Sequence, residues 1–465
     1  MPRPYRFLGV IAAGVILWAF FKPAGVDPAA WRLFAVFAAT ILGMILQVMD
    51  TGAVVLLGLI AAILTRSMTL TAVLGGFANS SVWLIVSAFL FSHAVAATGL
   101  GQRVAFLFIR AFGRKTLGLG YALAASELVM APAVPANTAR AGGVMFPILM
   151  SISRACGSFP GTSPRRVGAF LMLNQFHTTI VLSAMFLTSM AANPLIAELS
   201  ERTAGVKIGW TLWAQTAWLP GLLSLIAVPW VLYRLHPPEM VESPEAPAEA
   251  RRRLAELGPM KRSEISLALI VGCCLLLWAT TGVHRLDPTS VAFLGLAAML
   301  LTGVMAWKDV LRTTGAWDAL LWFGGLVAMA DWLSRLGMTT WFAQTVAAHV
   351  HGHWSWILLI LALVYFYSHY GFASLTAHVT AMYGPFLAVA VAAGAPAPLA
   401  ALVLAFLSNL NACLTHYSTG PAPILFGAGY VTQTDWWKLG FVVSMVNLAI
   451  WGGVGLPYWK WIGIW

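Results

Sequence analysis

Long apolar runs separated by short polar turns set the pattern of this chain: 7–22, 31–49, 52–65, 81–98, 166–192, 210–235, 263–282, 288–306, 318–336, 398–430 and 437–462. A helix needs ~20 apolar residues to cross the hydrocarbon core, with allowance for short, tilted or broken spans. The pattern therefore predicts eleven crossings. Two further apolar stretches, about 117–153 and 354–392, are broken midway by Gly, Pro and polar residues. The breaks are Ala131-Pro132-Ala133-Val134-Pro135-Ala136-Asn137 in one and Ser368-His369-Tyr370-Gly371 through Thr376 in the other. Non-helical backbone at membrane depth must face protein or a watery cavity, so each is read as a re-entrant helical hairpin.

Composition agrees with this reading. Of 465 residues, 60% are hydrophobic and 9% charged, far more apolar surface than a soluble core of this size buries, which predicts an all-α polytopic membrane protein. The net charge of +11 is scattered over short loops, so it reports orientation in the membrane rather than a nucleic-acid partner. The four cysteines lie in or beside apolar runs without metal-ligand spacing and read as small buried hydrophobes. Arg3 and Arg6 precede the first run, which ends at Lys22-Pro23 without a small-residue cleavage site, so residues 1–25 are expected to hold a leading transmembrane helix rather than a leader peptide.

Charge also orients the hairpins. Arg103, Arg110, Arg114 and Lys115 precede the first one and Arg154, Arg165 and Arg166 follow it, which predicts that both its ends are cytoplasmic. The second is flanked by His349, His351, His353 and by Gly394-Ala395-Pro396, with no Lys or Arg close by, and is expected to enter from outside. The polar segment 236–264, with Pro237-Pro238, several Glu and Arg251-Arg252-Arg253, reads as a cytoplasmic linker of solvated, mixed-charge chain.

The two hairpins carry related sequences. Thr138 and Thr376 are 238 positions apart, as are Arg140 and His378, and Pro147 and Pro385; Leu64-Thr65 and Leu301-Thr302 lie at 237, Trp83 and Trp322 at 239, and His177 and His416 at 239. A near-constant offset over so long a stretch indicates an internal duplication. The expected division is a first repeat over 26–235 and a second over 265–465, each with five spans and a hairpin. An odd number of spans per repeat inverts the second copy and opposes the two hairpins.

Each hairpin break leads into a helix start with a capping side chain: Asn137-Thr138 before Ala139-Arg140, and Ser374 to Thr376 before Ala377-His378. The first N–H groups of a helix lack intrahelical partners, so two such ends meeting at the bilayer midplane make an anion site. Desolvating an anion there calls for a counter-charge, which Arg140 and a protonated His378 are placed to supply. Arg140 has an alternative partner in Glu127 on the opposite arm, and either cation is also placed to orient its tip. The candidate substrate-binding residues are thus Asn137, Thr138, Arg140, Ser374, Thr376, His378 and, from a polar interruption in a late span, Thr419. His177, His416, Pro421 and Glu127 form a second tier. Asp50 and Asp331 read as span-end residues. His349-x-His351-x-His353 lacks a carboxylate or thiolate partner and reads as a solvated loop, so no metal and no cofactor are expected.

Val134-Pro135-Ala136-Asn137-Thr138-Ala139-Arg140-Ala141-Gly142-Gly143, Tyr365-Phe366-Tyr367-Ser368-His369-Tyr370, Ala377-His378 with Ala381-Met382-Tyr383, and Leu414-Thr415-His416-Tyr417-Ser418-Thr419-Gly420-Pro421-Ala422-Pro423 resemble the divalent anion/sodium symporter family. Within it they are similar to the branch of bacterial citrate–succinate and tartrate–succinate antiporters and the plastid 2-oxoglutarate/malate translocator, from about residue 26 onward. The resemblance implies a homodimer whose protomers each pair a scaffold with a mobile transport domain that moves substrate by an elevator motion. It also implies a Ser-Asn-Thr carboxylate-binding motif at each tip, with Na⁺ beside the tips in sodium-coupled members. Here the motifs are Ala136-Asn137-Thr138 and Ser374-Leu375-Thr376. Leu375 removes a carboxylate donor and a carbonyl ligand for sodium, which points to a smaller dicarboxylate than citrate, and the flanking cations favour exchange without sodium.

The expected function is therefore sodium-independent, elevator-type antiport of di- or tricarboxylates (the C4-dicarboxylate, 2-oxoglutarate, tartrate or citrate class) across the bacterial inner membrane. A Na⁺- or H⁺-coupled symporter is the alternative. An enzyme would need a nucleophile, paired carboxylates or a metal set beside the tips, and a channel would need a continuous polar lining; the sequence shows neither. The expected partners are small carboxylate anions, membrane lipid and a second copy of the chain.

Overall fold

The computed structural model describes residues 4–21, 23–338, 341, 342, 345 and 352–465. Regular structure among these is entirely helical, apart from one isolated bridge between Lys115 and Glu242. Among the described residues, eight helical segments are long and apolar enough to cross a membrane, and four shorter helices are apolar. The protein is thus an all-α polytopic membrane protein. His349 and His351 lie outside the described residues; His353 caps a helix, its Nδ1 accepting from the Ser355 N–H at 3.4 Å.

The first half runs α1 (Pro4–Phe20), α2 (Pro28–Ile45), α3 (Thr51–Leu64), α4 (Leu70–Gly75), α5 (Ser80–Thr98), α6 (Leu100–Phe112), α7 (Thr116–Met130), α8 (Phe146–Ala155), α9 (Gly168–Met185), α10 (Asn193–Ala204) and α11 (Trp210–Leu235). Local chemistry sets the ends. Asp27 Oδ1 accepts from the Ala29 N–H at 2.6 Å with Pro28 opening α2, and Gly99, at φ +82°, makes the left-handed turn that lets α6 start directly after α5. The connector holds α12 (Glu245–Leu257).

The second half runs α13 (Arg262–Ala279), α14 (Thr281–His284), α15 (Pro288–Leu301), α16 (Trp307–Arg312), α17 (Thr314–Arg335), α18 (Trp354–Tyr367), α19 (Leu375–His378), α20 (Gly384–Ala392), α21 (Ala397–Leu410), α22 (Pro421–Gly427), α23 (Gln433–Ile450) and α24 (Leu456–Trp461). Several of its elements match those of the first half in length and spacing. α3 and α15 each have 14 residues, begin 237 positions apart and follow Asp50 and Asp287; α4 and α16 each have six and begin 237 apart. α8 and α20 begin 238 apart, each with Pro in its first turn.

In both hairpins the arm returning from the tip starts loosely wound, with π-helical turns over Thr138–Met145 and Val379–Tyr383. Such turns are rare and concentrate at functional sites.

Beyond the hairpins the offset falls to 229, because the turn after α8 (156–167) is eight residues longer than that after α20 (393–396) and α8 itself is one residue longer than α20. This corrects the pairing of His177 with His416. His177 lies inside α9, whereas His416 lies in the break before α22. The elements that correspond are two broken helices: α9, a 3₁₀ turn at Leu187–Ser189 and α10; then α21, a 3₁₀ turn at Asn411–Leu414 and α22.

The connector is not solvated chain, contrary to the expectation. α12 docks on α6 and α8 with Ala246 and Ala250 fully buried, their small side chains permitting close approach. Its flanks are stitched to both ends of the first hairpin: Ser243 Oγ donates to the Gly113 carbonyl at 2.8 Å, Thr116 Oγ1 to Met240 O at 2.6 Å, and Glu239 N–H to Arg165 O at 2.9 Å. Arg103 closes the far end, reaching Glu264 at 2.7 Å and the Gly258 carbonyl at 2.9 Å.

Candidate functional site

The two hairpin tips line one cavity. Ala136, Asn137 and Thr138 from the first, Ala373 to Thr376 from the second, and Thr419-Gly420 from the break before α22 form one wall of a cavity of about 1130 Å³. The facing wall comes from the α2–α3 turn (Gln47 to Thr51), Phe89, and the start of α17 with Thr314, Asp318 and Trp322. Of the residues singled out in the sequence, Asn137, Thr138, Ser374, Thr376 and Thr419 line this cavity.

Within the tips the polar atoms are mutually arranged. Asn137 Nδ2 donates to Thr419 Oγ1 at 3.2 Å, joining the first tip to the second half of the chain. Ser374 Oγ caps α19 by accepting from the Ala377 N–H at 3.3 Å. Gly420 is required by contact: a Cβ there would lie 1.9 Å from Thr138 Oγ1. Counted from the tips, the two returning arms run as continuous helix over 138–155 and 375–392, each with its N-terminal end at the cavity. The positive ends of both helices are therefore aimed into the same space.

Arg140 and His378 are not in the cavity, and the expectation that they present charge to a ligand is corrected by their packing. The Arg140 side chain is fully buried. Its Nε donates to Glu127 Oε1 at 2.6 Å, its Nη1 to the carbonyls of Val134 (2.6 Å) and Ser189 (2.9 Å), and its Nη2 to Ser183 Oγ at 3.4 Å. Glu127 also accepts from Thr179 Oγ1 at 2.8 Å and from Gln175 Nε2. Every charge is internally matched, so the pair ties the first tip to α7 and to the break after α9 rather than offering a free cation.

His378 has the equivalent place behind the second tip. Its Nε2 lies 2.9 Å from Ser368 Oγ and 3.2 Å from the Tyr365 carbonyl, and Asn411 Nδ2 lies 3.4 Å from Nδ1. A carbonyl only accepts and an amide nitrogen only donates, so this network assigns the neutral imidazole with its proton on Nε2. The ring is enclosed by Tyr365, Phe372 and His369 at centroid distances of 4.6, 4.8 and 5.0 Å.

The second tier scatters. His177 is fully buried with neither ring nitrogen bonded to a described residue, His416 Nδ1 accepts from Trp437 Nε1 at 3.0 Å, and Pro421 opens α22. None of the three lines the cavity. Asp331 sits in an ion-pair cluster with Arg202 (3.3 Å) and Arg335 (2.9 Å).

Sequence reading missed the carboxylates of the facing wall. Asp50, read as a span-end residue, and Asp318 both line the cavity, and Asp318 Oδ1 accepts from the Gly52 N–H at 3.2 Å. It also missed Asn193 and Asn409, whose side chains bond at 2.8 Å between the two broken helices. Asn193 opens the polar helix α10 and Asn409 lies within the apolar α21, and neither position gave a separate signal. Among the described lining residues there is no Lys, Arg or His, so the polar groups of the wall are hydroxyls, the amides of Gln47 and Asn137, the carboxylates of Asp50 and Asp318, and helix ends.

An all-helical membrane protein in which two re-entrant tips and a broken helix converge on one cavity has the architecture of a secondary transporter. The chain belongs to the sodium:sulfate symporter family, whose transmembrane-region model matches residues 4–465, and this is the divalent anion/sodium symporter grouping its motifs resemble. It is 48% identical to YflS of Bacillus subtilis over 98% of this chain and 96% of that protein, and 47% identical to the chloroplastic dicarboxylate transporter 1 of Spinacia oleracea over 98% and 81%. Among solved structures it resembles the Neisseria gonorrhoeae efflux pump MtrF at a TM-score of 0.54 and 12% identity, covering 97% of this chain and 96% of that one, a likeness of fold.

Proposed function

We propose that this protein exchanges small dicarboxylates across the bacterial inner membrane by sodium-independent, elevator-type antiport, working as a homodimer. The observation that carries the reading is the convergence of both tips on one cavity, where Thr138, Thr376 and Thr419 hydroxyls, the Asn137 amide and two helix ends face the same volume. Two separated donor groups suit the two ends of a dicarboxylate, and the chloroplastic relative is named a dicarboxylate transporter. Leu375 in the cavity wall narrows the second tip's donor set, in keeping with a substrate smaller than citrate.

Sodium independence is supported by the carbonyls behind the tips. Unwound carbonyls beside such tips are what a transported Na⁺ coordinates. Here Val134 O and Ser189 O are occupied by the Arg140 guanidinium, and Tyr365 O by the His378 Nε2–H. Obligate exchange rests on the helix ends rather than on Arg140, whose charge Glu127 balances: each end carries roughly half a positive charge, and an empty site would move both through the membrane uncompensated.

Counterflow in proteoliposomes tests this. Uptake of labelled succinate should require internal dicarboxylate and ignore Na⁺; sodium-dependent uptake into empty vesicles overturns it. Proton- or cation-coupled symport is the second reading, favoured by Asp50 and Asp318 in the cavity wall. Uptake driven by a pH gradient alone, lost in Asp318→Asn, would establish it.

A further inference from the structure

The helices α1 and α3 both pack on α2 and leave between them an apolar groove of about 380 Å³, walled by residues such as Val10, Trp18, Val36, Leu57, Ala61 and Leu64. Among the described residues, one cation lines it. Arg32, in the second turn of α2, makes no hydrogen bond, ion pair or ring contact with any described residue, and its Nε is buried without a partner. A buried guanidinium N–H without a partner is costly to leave unmatched.

The register of the helices fixes where this arginine lies along the groove. α2 and α3 are antiparallel, with Gly43 against Val54 and Thr40 against Gly58, which brings Arg32 level with Thr65 at the end of α3. On the other side Gly14 packs on Ala39 and the Trp31 Nε1–H bonds the Leu17 carbonyl at 3.1 Å, which brings Trp18 to the same level. Arg32 therefore sits at one mouth of the groove, four residues into a helix that begins at Pro28, beside Trp18 and next to exposed Arg66. Headgroup depth is where tryptophans gather and where arginine meets lipid phosphate.

We propose that this groove holds one anionic phospholipid, its acyl chain lying along the α1–α2–α3 trough and its phosphate on Arg32. The trough is apolar along its length, as a hydrocarbon chain requires and a free anion does not, and the unpaired guanidinium supplies the charge that a zwitterionic lipid matches less well. A second copy of the chain fits poorly. It would have to bring an acid to Arg32, whereas the outward residues flanking the trough, Leu8, Ile11, Val15, Leu56 and Ile60, are apolar.

Native mass spectrometry of the detergent-solubilised full chain tests the proposal, with dioleoyl phosphatidylglycerol and dioleoyl phosphatidylcholine in competition and glycerol phosphate as the headgroup alone. The expected result is one retained phosphatidylglycerol per protomer, preferred about fivefold over phosphatidylcholine, the discrimination one arginine near an anionic bilayer surface supplies. Arg32→Gln should abolish the preference, Arg32→Lys should keep it, and Ala61→Phe, which fills the trough, should reduce retention of both lipids. Unchanged dicarboxylate exchange in each variant shows that the fold is intact. Equal retention of both lipids by the unsubstituted protein, a preference that survives Arg32→Gln, or binding of glycerol phosphate alone would each overturn the proposal. So would an efficient disulfide between copies carrying Ile60→Cys, which would make the trough a protein interface.

Discussion

Arg140 and Glu127 bond at 2.6 Å across the two arms of the first hairpin with neither side chain exposed. Removing one partner of a buried pair leaves an uncompensated charge and costs ~3–5 kcal/mol, whereas exchanging both for apolar residues is often neutral. Glu127→Leu is thus expected to lower the thermal midpoint sharply and Glu127→Leu/Arg140→Met to recover most of it. Exchange should stay lost in the double variant, because the carbonyls of Val134 and Ser189 lose the donors that hold the tip. Thermal midpoints in detergent beside succinate counterflow check both outcomes; exchange restored along with stability would show that the pair does not position the tip.

That pair also shows what was legible in the sequence. The hairpins were, because Pro and polar residues inside apolar runs have few explanations at membrane depth, and the 238-residue spacing of Thr138 and Thr376 tied the tips together. Which way Arg140 points was not. Glu127 was visible as a rival partner, but its choice over a ligand depends on the donors from Gln175 and Thr179 on α9, a contact made only by the fold. Asp318 was silent for a similar reason: in a helix with Asp331 it reads as one polar residue among apolar ones, and only packing against Gly52 turns it to the cavity. The connector misled because α12 is polar by composition, and its docking depends on two alanines that leave no hydropathy signal.

The contact between Gly420 and Thr138 gives a sharper test of the site. A methyl group on Gly420 would fall 1.9 Å from Thr138 Oγ1, so Gly420→Ala must displace the tip hydroxyl. The half-saturating succinate concentration should rise at least tenfold, which corresponds to about 1.4 kcal/mol. Thr138→Ala/Gly420→Ala removes the clash together with the hydroxyl and should recover the thermal midpoint but not the affinity. Recovery of affinity would take Thr138 out of the binding set.

Asp50 and Asp318 face whatever anion occupies the cavity. Two unit charges ~4 Å apart in water interact by about 1 kcal/mol, and less at greater separation. Asp318→Asn, which keeps an oxygen for the Gly52 N–H, should therefore tighten succinate binding by up to about fivefold, most clearly at low salt, where screening is weakest. Isothermal titration at two ionic strengths measures this; weakened binding would instead make Asp318 a carrier of the coupling proton or cation.

The docked connector predicts a pH dependence of its own. Glu249 on α12 is held well below the ordinary carboxylate range, down to about 2, first by its hydrogen bond from Arg252 and then by those from Ser151 and Arg253. A carboxylate whose folded-state value is depressed stabilises the fold fully above its unfolded value and loses that contribution as pH falls through the folded one. Arg252 and Arg253 lie on α12 itself, so only the Ser151 share of this links Glu249 to α8; docking should be intact at neutral pH and weaken modestly as pH drops from about 4.5 toward 2. Glu249→Gln loses the charge at every pH, so its connector should be loose already at neutral pH, with trypsin cutting at Arg251-Arg252-Arg253 faster than in the unsubstituted chain. The same variant should show less acid-induced change when a fluorophore pair placed on α8 and α12 is followed from pH 5 to pH 2. Equal cleavage and equal acid response in the two proteins would mean that the buried alanines Ala246 and Ala250 hold the connector without help from Glu249.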